Sequence, residues 1–161
     1  MTDNYIVLDT ETTGLNPARD KVLEIGAARI EQGRVVETFE TLIDTGVPIP
    51  ERITELTGIT DAMQAEGKKT EEAFREFFDF CKDLPILGHN ITFDFSFLKQ
   101  MAVNLGYSFE KDGIDTLKIA RKVLADLPSR RLSYLCVHYE IDLVHSHRAL
   151  DDALATHELL Q

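Results

Sequence analysis

Two strand-like runs, residues 22–30 and 35–43, are separated by Gln32-Gly33, which can supply the positive φ of a tight hairpin turn. A shorter apolar run at residues 6–8 precedes them and predicts a buried strand. Together the three runs predict an antiparallel meander. Farther along, a short strand at residues 85–88 lies between segments of helical spacing. Strands of a hairpin followed by alternating strands and helices predict an α/β fold, with a mixed central β-sheet flanked by α-helices.

The helices are predicted from the spacing of their apolar residues. Thr70 is expected to cap the first one, whose core stripe should contain Phe74, Phe77, Phe78 and Cys81. A second helix is expected at residues 93–105. Further helices are predicted at residues 116–124, 132–139 and 149–160.

Size and composition predict one globular domain over residues 1–161, since the chain has 161 residues and is 43% hydrophobic. No apolar run approaches the roughly 18 to 20 residues of a membrane span, and the start carries no signal-peptide pattern. These features predict a soluble, cytoplasmic protein with no membrane partner. Cys81 and Cys136 are too far apart for a zinc knuckle and do not form a disulfide framework.

The net charge of −11 argues against a chain that binds nucleic acid through a broadly basic surface. The charge is uneven, however, because residues 111–131 contain six basic and three acidic side chains. Such a segment could contact a phosphate backbone. An ordinary solvated helix face remains an equal alternative.

Several carboxylates interrupt the apolar pattern. Asp9 and Glu11 lie two residues apart at the end of the first predicted strand and so project from one face. Asp94 falls on the apolar stripe of a predicted helix, with Phe97 and Leu98. A loop cap at Asp9 and a helix N-cap at Asp94 are the structural alternatives. Held together, such acids need a proton or a cation between them.

A third acidic segment follows His147. His147 and Asp152 are five residues apart, so they converge only if His147 lies in a loop and Asp152 in the first helical turn. Asp152 alone could be a first-turn acid that the helix dipole favours. Four carboxylates from three segments, with one histidine, suit Mg²⁺ or Mn²⁺ better than Zn²⁺. A neutral histidine beside them can accept a proton from water.

Three segments resemble the exonuclease motifs of the DEDD family, in its histidine subgroup of epsilon-type proofreading 3′–5′ exonucleases similar to those of DNA polymerase III. They are residues 9–15 (DTETTGL), 88–94 (GHNITFD) and 147–153 (HRALDDA). Residues 56–60 (LTGIT) resemble a further family element. The motifs are in the family's order and extend over nearly the whole chain.

The resemblance implies a ribonuclease H-like fold and two divalent ions held by Asp9, Glu11, Asp94 and Asp152, with His147 as general base. Arg148 occupies the position where the other subgroup has tyrosine, which favours the histidine assignment. The resemblance also implies a set of substrate-binding residues around the terminal nucleotide: Thr12, Leu15, Leu56, His89, Asn90 and Phe93. Phe93 could instead be a core aromatic, and His89 and Asn90 could brace the turn before Asp94.

The implied function is metal-dependent removal of nucleoside 5′-monophosphates from the 3′ end of DNA, at single-stranded or mispaired ends, in proofreading or repair. The alternatives are an exoribonuclease that trims RNA 3′ ends and a metal-dependent nucleotide phosphohydrolase. The implied partners are a nucleic-acid 3′ end and a DNA polymerase, as a separate subunit or a fused domain. The chain ends at Gln161, soon after the third motif, which fits either an excised domain or a stand-alone enzyme.

Overall fold

A computed structural model describes residues 4–107, 113–115, 131–132, 135–136 and 148–160. The strands in these ranges are β1 (Tyr5–Thr12), β2 (Val22–Glu31), β3 (Arg34–Leu42), β4 (Ile86–Gly88) and β5 (Gly113–Asp115). The helices are α1 (Glu51–Thr57), α2 (Asp61–Ala65), α3 (Thr70–Cys81), α4 (Ile91–Leu105) and α5 (Ala149–Leu160).

The strands form one mixed sheet in the order β3-β2-β1-β4-β5. β1, β2 and β3 are antiparallel, whereas β4 pairs parallel to β1 and β5 parallel to β4. Gln32 and Gly33 have φ angles of 52° and 75°, so the predicted hairpin turn between β2 and β3 is present. The predicted meander and the mixed sheet flanked by helices are both confirmed.

Both faces of the sheet are covered, and β1 alternates between them. Ile6 and Leu8 pack in a core with α3 and α4, whereas Tyr5 and Val7 pack on the other face with Ala153 of α5. Burial on both faces explains why β1 begins as a continuous apolar run. This alternation decides the direction of the polar residues that follow in the same strand.

β1 extends farther than the predicted strand of residues 6–8. Its pairing with β2 continues through Glu11 opposite Glu24 and ends with Thr12 opposite Val22. The two predicted carboxylates therefore lie within a paired strand rather than in the loop after it, and the loop-cap alternative for Asp9 is excluded.

Other boundaries differ from the predictions. The N-cap of α3 is Lys69, and Thr70 is already helical and caps nothing. Lys68 bonds to Leu42 through its backbone N–H, which keeps the chain extended up to that point and starts the helix after it. Phe78 is 37% exposed, and Phe80 is buried in its place. The helices α1 and α2 were not predicted.

Two predicted helices fall mostly outside the described residues. Nothing is described for residues 116–124, and only residues 132, 135 and 136 for the helix at 132–139. The predicted helix at residues 149–160 is present as α5. No helix in the described part of the chain has the length and apolar character to cross a membrane.

Candidate functional site

The acidic residues of β1 face α5. Because side chains alternate along a strand, Asp9 and Glu11 share the face of Tyr5 and Val7, on which α5 packs. Asp152 lies in the first turn of α5 and is 7% exposed. Carboxylate oxygens of these three acids all lie within 4.8 Å of one another. The structure thus brings together the first and third predicted motifs.

Asp94 approaches from the opposite face of the sheet. It belongs to the first turn of α4, is 3% exposed, and accepts a hydrogen bond at 3.2 Å from the backbone N–H of Thr10. The Thr10 hydroxyl also bonds to the same Asp94 oxygen. The N-cap of α4 is Asn90, so the N-cap alternative for Asp94 is wrong. Thr10 instead ties Asp94 to the strand between Asp9 and Glu11.

The acids strongly perturb one another. Burial, followed by the charges of Asp94, Glu11 and Asp152, raises the pKa of Asp9 well above its usual value. Burial and the charge of Asp152 raise the pKa of Glu11 to about 9. Two carboxylates this close repel each other unless a proton or a cation offsets their charge.

A divalent cation fits this group of acids. It would offset the charges that raise both pKa values. The donors are all carboxylate oxygens, which are typical ligands of hard cations such as Mg²⁺ and Mn²⁺.

The start of α5 is fixed to β2 by an acidic residue that the sequence did not suggest as part of the site. Glu24 of β2 is fully buried and accepts hydrogen bonds from Arg148 Nη2 at 2.6 Å and from the backbone N–H of Ala149 at 2.8 Å. Asp152 lies one turn farther along the helix. His147, the predicted general base, lies outside the described residues, as does most of the basic segment 111–131.

Two predicted base-contacting residues are exposed apolar side chains. Leu15, in the loop after β1, is 78% exposed, and Leu56, in α1, is 51% exposed. Leu15 borders an open groove of about 500 Å³ that Arg19 and Arg52 also line. Thr12 is buried at the end of β1 and donates a hydrogen bond from its hydroxyl to the Gly14 carbonyl at 2.7 Å, so it also shapes this loop.

The second motif links β4 to α4. His89 is half-buried and Asn90 exposed, and Asn90 adopts a left-handed conformation with φ of 62°. This turn starts the helix that carries Asp94, as the bracing alternative predicts. Phe93 is partly buried against the core and packs on Phe97 with a ring separation of 5.0 Å. Phe93 therefore has the core contacts that its alternative interpretation predicts.

Sequence reasoning missed Thr10 and Glu24. Glu24 interrupts the apolar run of β2 just as Asp9 and Asp94 interrupt theirs, so the same criterion applied to every strand would have found it. Thr10 carried no such signal, because a threonine is common in strands.

Comparison with known proteins gives a family match over nearly the whole chain. A family described as Exonuclease, RNase_T, matches residues 6–160. DNA polymerase III PolC-type of Caldanaerobacter subterraneus subsp. tengcongensis is 40% identical over 155 residues, which are 96% of this chain and 11% of the relative. The protein of the same name from Clostridium perfringens is 38% identical over 99% of this chain and 11% of its own length. The chain thus spans about a ninth of these relatives.

Solved structures share the fold. Exonuclease I of E. coli in complex with a dT13 oligonucleotide aligns with a TM-score of 0.87 at 22% identity, covering 99% of this chain and 40% of that one. Exonuclease X in complex with 5′ overhanging duplex DNA aligns with a TM-score of 0.78 at 23% identity, covering 97% and 88%. The predicted ribonuclease H-like fold is confirmed.

Proposed function

Since the chain belongs to the exonuclease family RNase_T, we propose that it removes nucleoside 5′-monophosphates from the 3′ end of DNA in a metal-dependent reaction. One observation supports this proposal above the others: the half-buried carboxylates of Asp9 and Glu11 in β1 and the buried carboxylate of Asp152 in α5 lie within 4.8 Å of one another. Holding several carboxylates this close together is costly for a folded protein, because their charges repel each other. A cluster of this kind between residues of the first and third motifs supports a catalytic role.

We propose that Asp9, Glu11, Asp94 and Asp152 hold two divalent cations, Mg²⁺ or Mn²⁺. Bound there, such ions supply charge stabilisation for both the attacking and the leaving oxygen of a phosphodiester. The carboxylates would position these cations, to which the scissile phosphate binds. Thr10 bonds to Asp94 between the positions of Asp9 and Glu11 in β1, and this supports Asp94 as the fourth ligand.

We further propose that His147 accepts the proton of the attacking water. It directly precedes Arg148, which is fixed on Glu24 one turn before Asp152. A histidine titrates near neutral pH and therefore suits this task.

The terminal nucleotide is proposed to contact Leu15, Leu56 and Phe93. The other proposed substrate-binding residues are Thr12, His89 and Asn90. An exposed leucine is an apolar surface on which a splayed base can pack. Arg19 and Arg52 line the adjacent groove and can meet backbone phosphates. The 3′ end of the DNA would therefore need only a short contact with an otherwise acidic protein.

The relatives are polymerases, and this supports a DNA substrate rather than RNA. We propose that residues 1–161 form one exonuclease domain that receives mispaired or single-stranded 3′ ends from a DNA polymerase, present as a subunit or as part of the same chain. Such proofreading or repair would take place in the cytoplasm.

The test is digestion of 5′-labelled DNA and RNA oligonucleotides of one sequence, with paired and mispaired 3′ ends, in Mg²⁺ or Mn²⁺. We expect stepwise shortening of DNA from the 3′ end, faster at mispaired ends. Asp94→Asn should lower the rate at least about 100-fold, because it removes a proposed cation ligand. The matched control Asp79→Asn, at an exposed position of α3, should leave the rate unchanged.

Three results would contradict the proposal. Preferential digestion of RNA would indicate an exoribonuclease. Hydrolysis of mononucleotides, while oligonucleotides stay undegraded, would indicate a phosphohydrolase. An Asp94→Asn variant that folds and retains wild-type activity would remove the acid from the site.

A further inference from the structure

The contact between β2 and the start of α5 joins two charged side chains beside the acidic site. Arg148 donates to Glu24 from Nε at 3.0 Å and from Nη2 at 2.6 Å, so the pair is bidentate. The carboxylate side chain is 1% exposed and the guanidinium side chain 27% exposed. A bidentate pair of this kind fixes orientation as well as distance.

Glu24 also accepts a hydrogen bond from the first backbone N–H of α5. Its Oε1 accepts the N–H of Ala149 at 2.8 Å. The first N–H groups of a helix lack intrahelical partners and are ordinarily capped by the residue just before the helix. Here the cap comes from a strand more than a hundred residues away in sequence. It therefore fixes the position of the start of α5 on the sheet.

The backbone of β2 favours the same contact. A Cβ placed on Gly26 would overlap the backbone of Ala149 and Leu150. The absence of a side chain at Gly26 therefore lets the first turn of α5 lie directly on the strand. Gly26 and Glu24 point to the same face, two residues apart, and together define where the helix begins.

This contact lies next to the proposed cation ligands on both sides. Glu24 is paired with Glu11 across β1 and β2. Asp152 donates its backbone N–H to the Arg148 carbonyl at 3.0 Å. Strand pairing thus places Glu24 beside Glu11, and hydrogen bonds connect Glu24 through Arg148 to Asp152. The charge of Glu24 contributes to the raised pKa of Glu11, and Arg148 pairs with that charge.

We propose that Glu24 and Arg148 are positioning residues that set the distance between Asp152 and the acids of β1, and so determine cation affinity. The pair also holds the residue that directly follows His147. Its effect on turnover rests on the proposed exonuclease function, whereas its effect on cation binding does not.

The test measures Mn²⁺ binding by calorimetry and DNA hydrolysis by steady-state kinetics, at a temperature where every variant is folded by circular dichroism. Glu24→Gln keeps the size of the side chain and an acceptor for Ala149 but loses the ion pair. We expect the dissociation constant for Mn²⁺ to rise about 10-fold or more, as when partners of metal ligands are removed. We also expect kcat to fall with little change in KM for DNA.

The matched control is Glu37→Gln. Glu37 of β3 forms an ion pair with Arg29 of β2, which joins two strands of the same sheet instead of a strand and α5. Its loss should change Mn²⁺ affinity and kcat less than twofold. Arg148→Gln should reproduce the Glu24→Gln effect, and Arg148→Lys should restore part of it. The double variant should be no worse than the more affected single variant, because both act through one contact.

The proposal is overturned if Glu24→Gln and Arg148→Gln both fold and keep Mn²⁺ affinity and kcat within twofold of wild type. If Glu24→Gln fails to fold, Arg148→Gln, at a partly exposed position, tests the proposal by itself. A wild-type chain that binds Mn²⁺ but does not cut DNA would refute the proposed function alone. If wild type cuts DNA and the variants keep its Mn²⁺ affinity and kcat, the positioning role alone is refuted.

Discussion

Replacing Glu11 with glutamine should stabilise the protein when divalent cations are removed. The pKa of Glu11 is about 9 in the folded chain, against an ordinary value of 4.5. Between these values the unfolded chain loses the proton while the folded chain keeps it. The free energy of unfolding therefore falls by about 1.4 kcal/mol for each pH unit.

At pH 7 this loss amounts to about 3 kcal/mol relative to pH 4.5. In the Glu11→Gln variant this side chain cannot ionise in either state. Its free energy of unfolding therefore does not fall in this way between pH 4.5 and pH 7. It also retains a side-chain amide able to bond to Asp9. We therefore expect the variant to be more stable than wild type by up to about 3 kcal/mol at pH 7 in EDTA, and equally stable near pH 4.5.

The measurement is urea denaturation followed by circular dichroism from pH 4.5 to pH 8.5 in EDTA. Glu55→Gln, at an exposed position in α1, is the matched control and should follow wild type at each pH. Saturating Mn²⁺ should reverse the order, because only wild type keeps the full ligand set. A Glu11→Gln variant no more stable than wild type at pH 8 in EDTA would refute the reasoning.

Three further results are expected. Gly26→Ala should lower the free energy of unfolding by about 1–3 kcal/mol in urea denaturation, because the new methyl group meets the backbone of α5. Leu15→Ala should raise KM for a DNA 3′ end while the denaturation midpoint stays unchanged, because the side chain is 78% exposed; an unchanged KM would remove Leu15 from the binding surface. EDTA should abolish DNA hydrolysis, and added Mg²⁺ or Mn²⁺ should restore it; activity that persists in EDTA would contradict the cation requirement.

The periodicity of the sequence predicted the sheet because local and tertiary preferences agree there. The hairpin at Gln32-Gly33 needs only local conformation, and the two-residue alternation of β1 already places Asp9 and Glu11 together. The position of Asp152 in a first helical turn also followed from spacing. These features depend on residues close in sequence.

The features that sequence reasoning missed depend on distant contacts. Thr70 looks like a cap, but the pairing of residues 43 and 68 fixes the chain before α3 and moves the cap to Lys69. The roles of Thr10 and Glu24 require knowing that α4 and α5 lie on opposite faces of one sheet. The interrupted apolar run of β2 marks Glu24 as unusual, but no local pattern shows which helix it contacts.

The position of β1 within the sheet has a consequence for how the acidic site opens. β1 is paired with β2 on one side and β4 on the other, whereas α5 is held by packing and by polar contacts near its ends, Glu24 at its start and Tyr5 Oη to His157 Nδ1 at 2.8 Å. Amides of β1 should thus exchange hydrogen only on global unfolding, and those of α5 through a local opening of lower free energy. Each such opening carries Asp152 away from Asp9 while the sheet stays intact. Cation binding needs both parts together, so it should slow exchange in α5 and leave β1 almost unaffected.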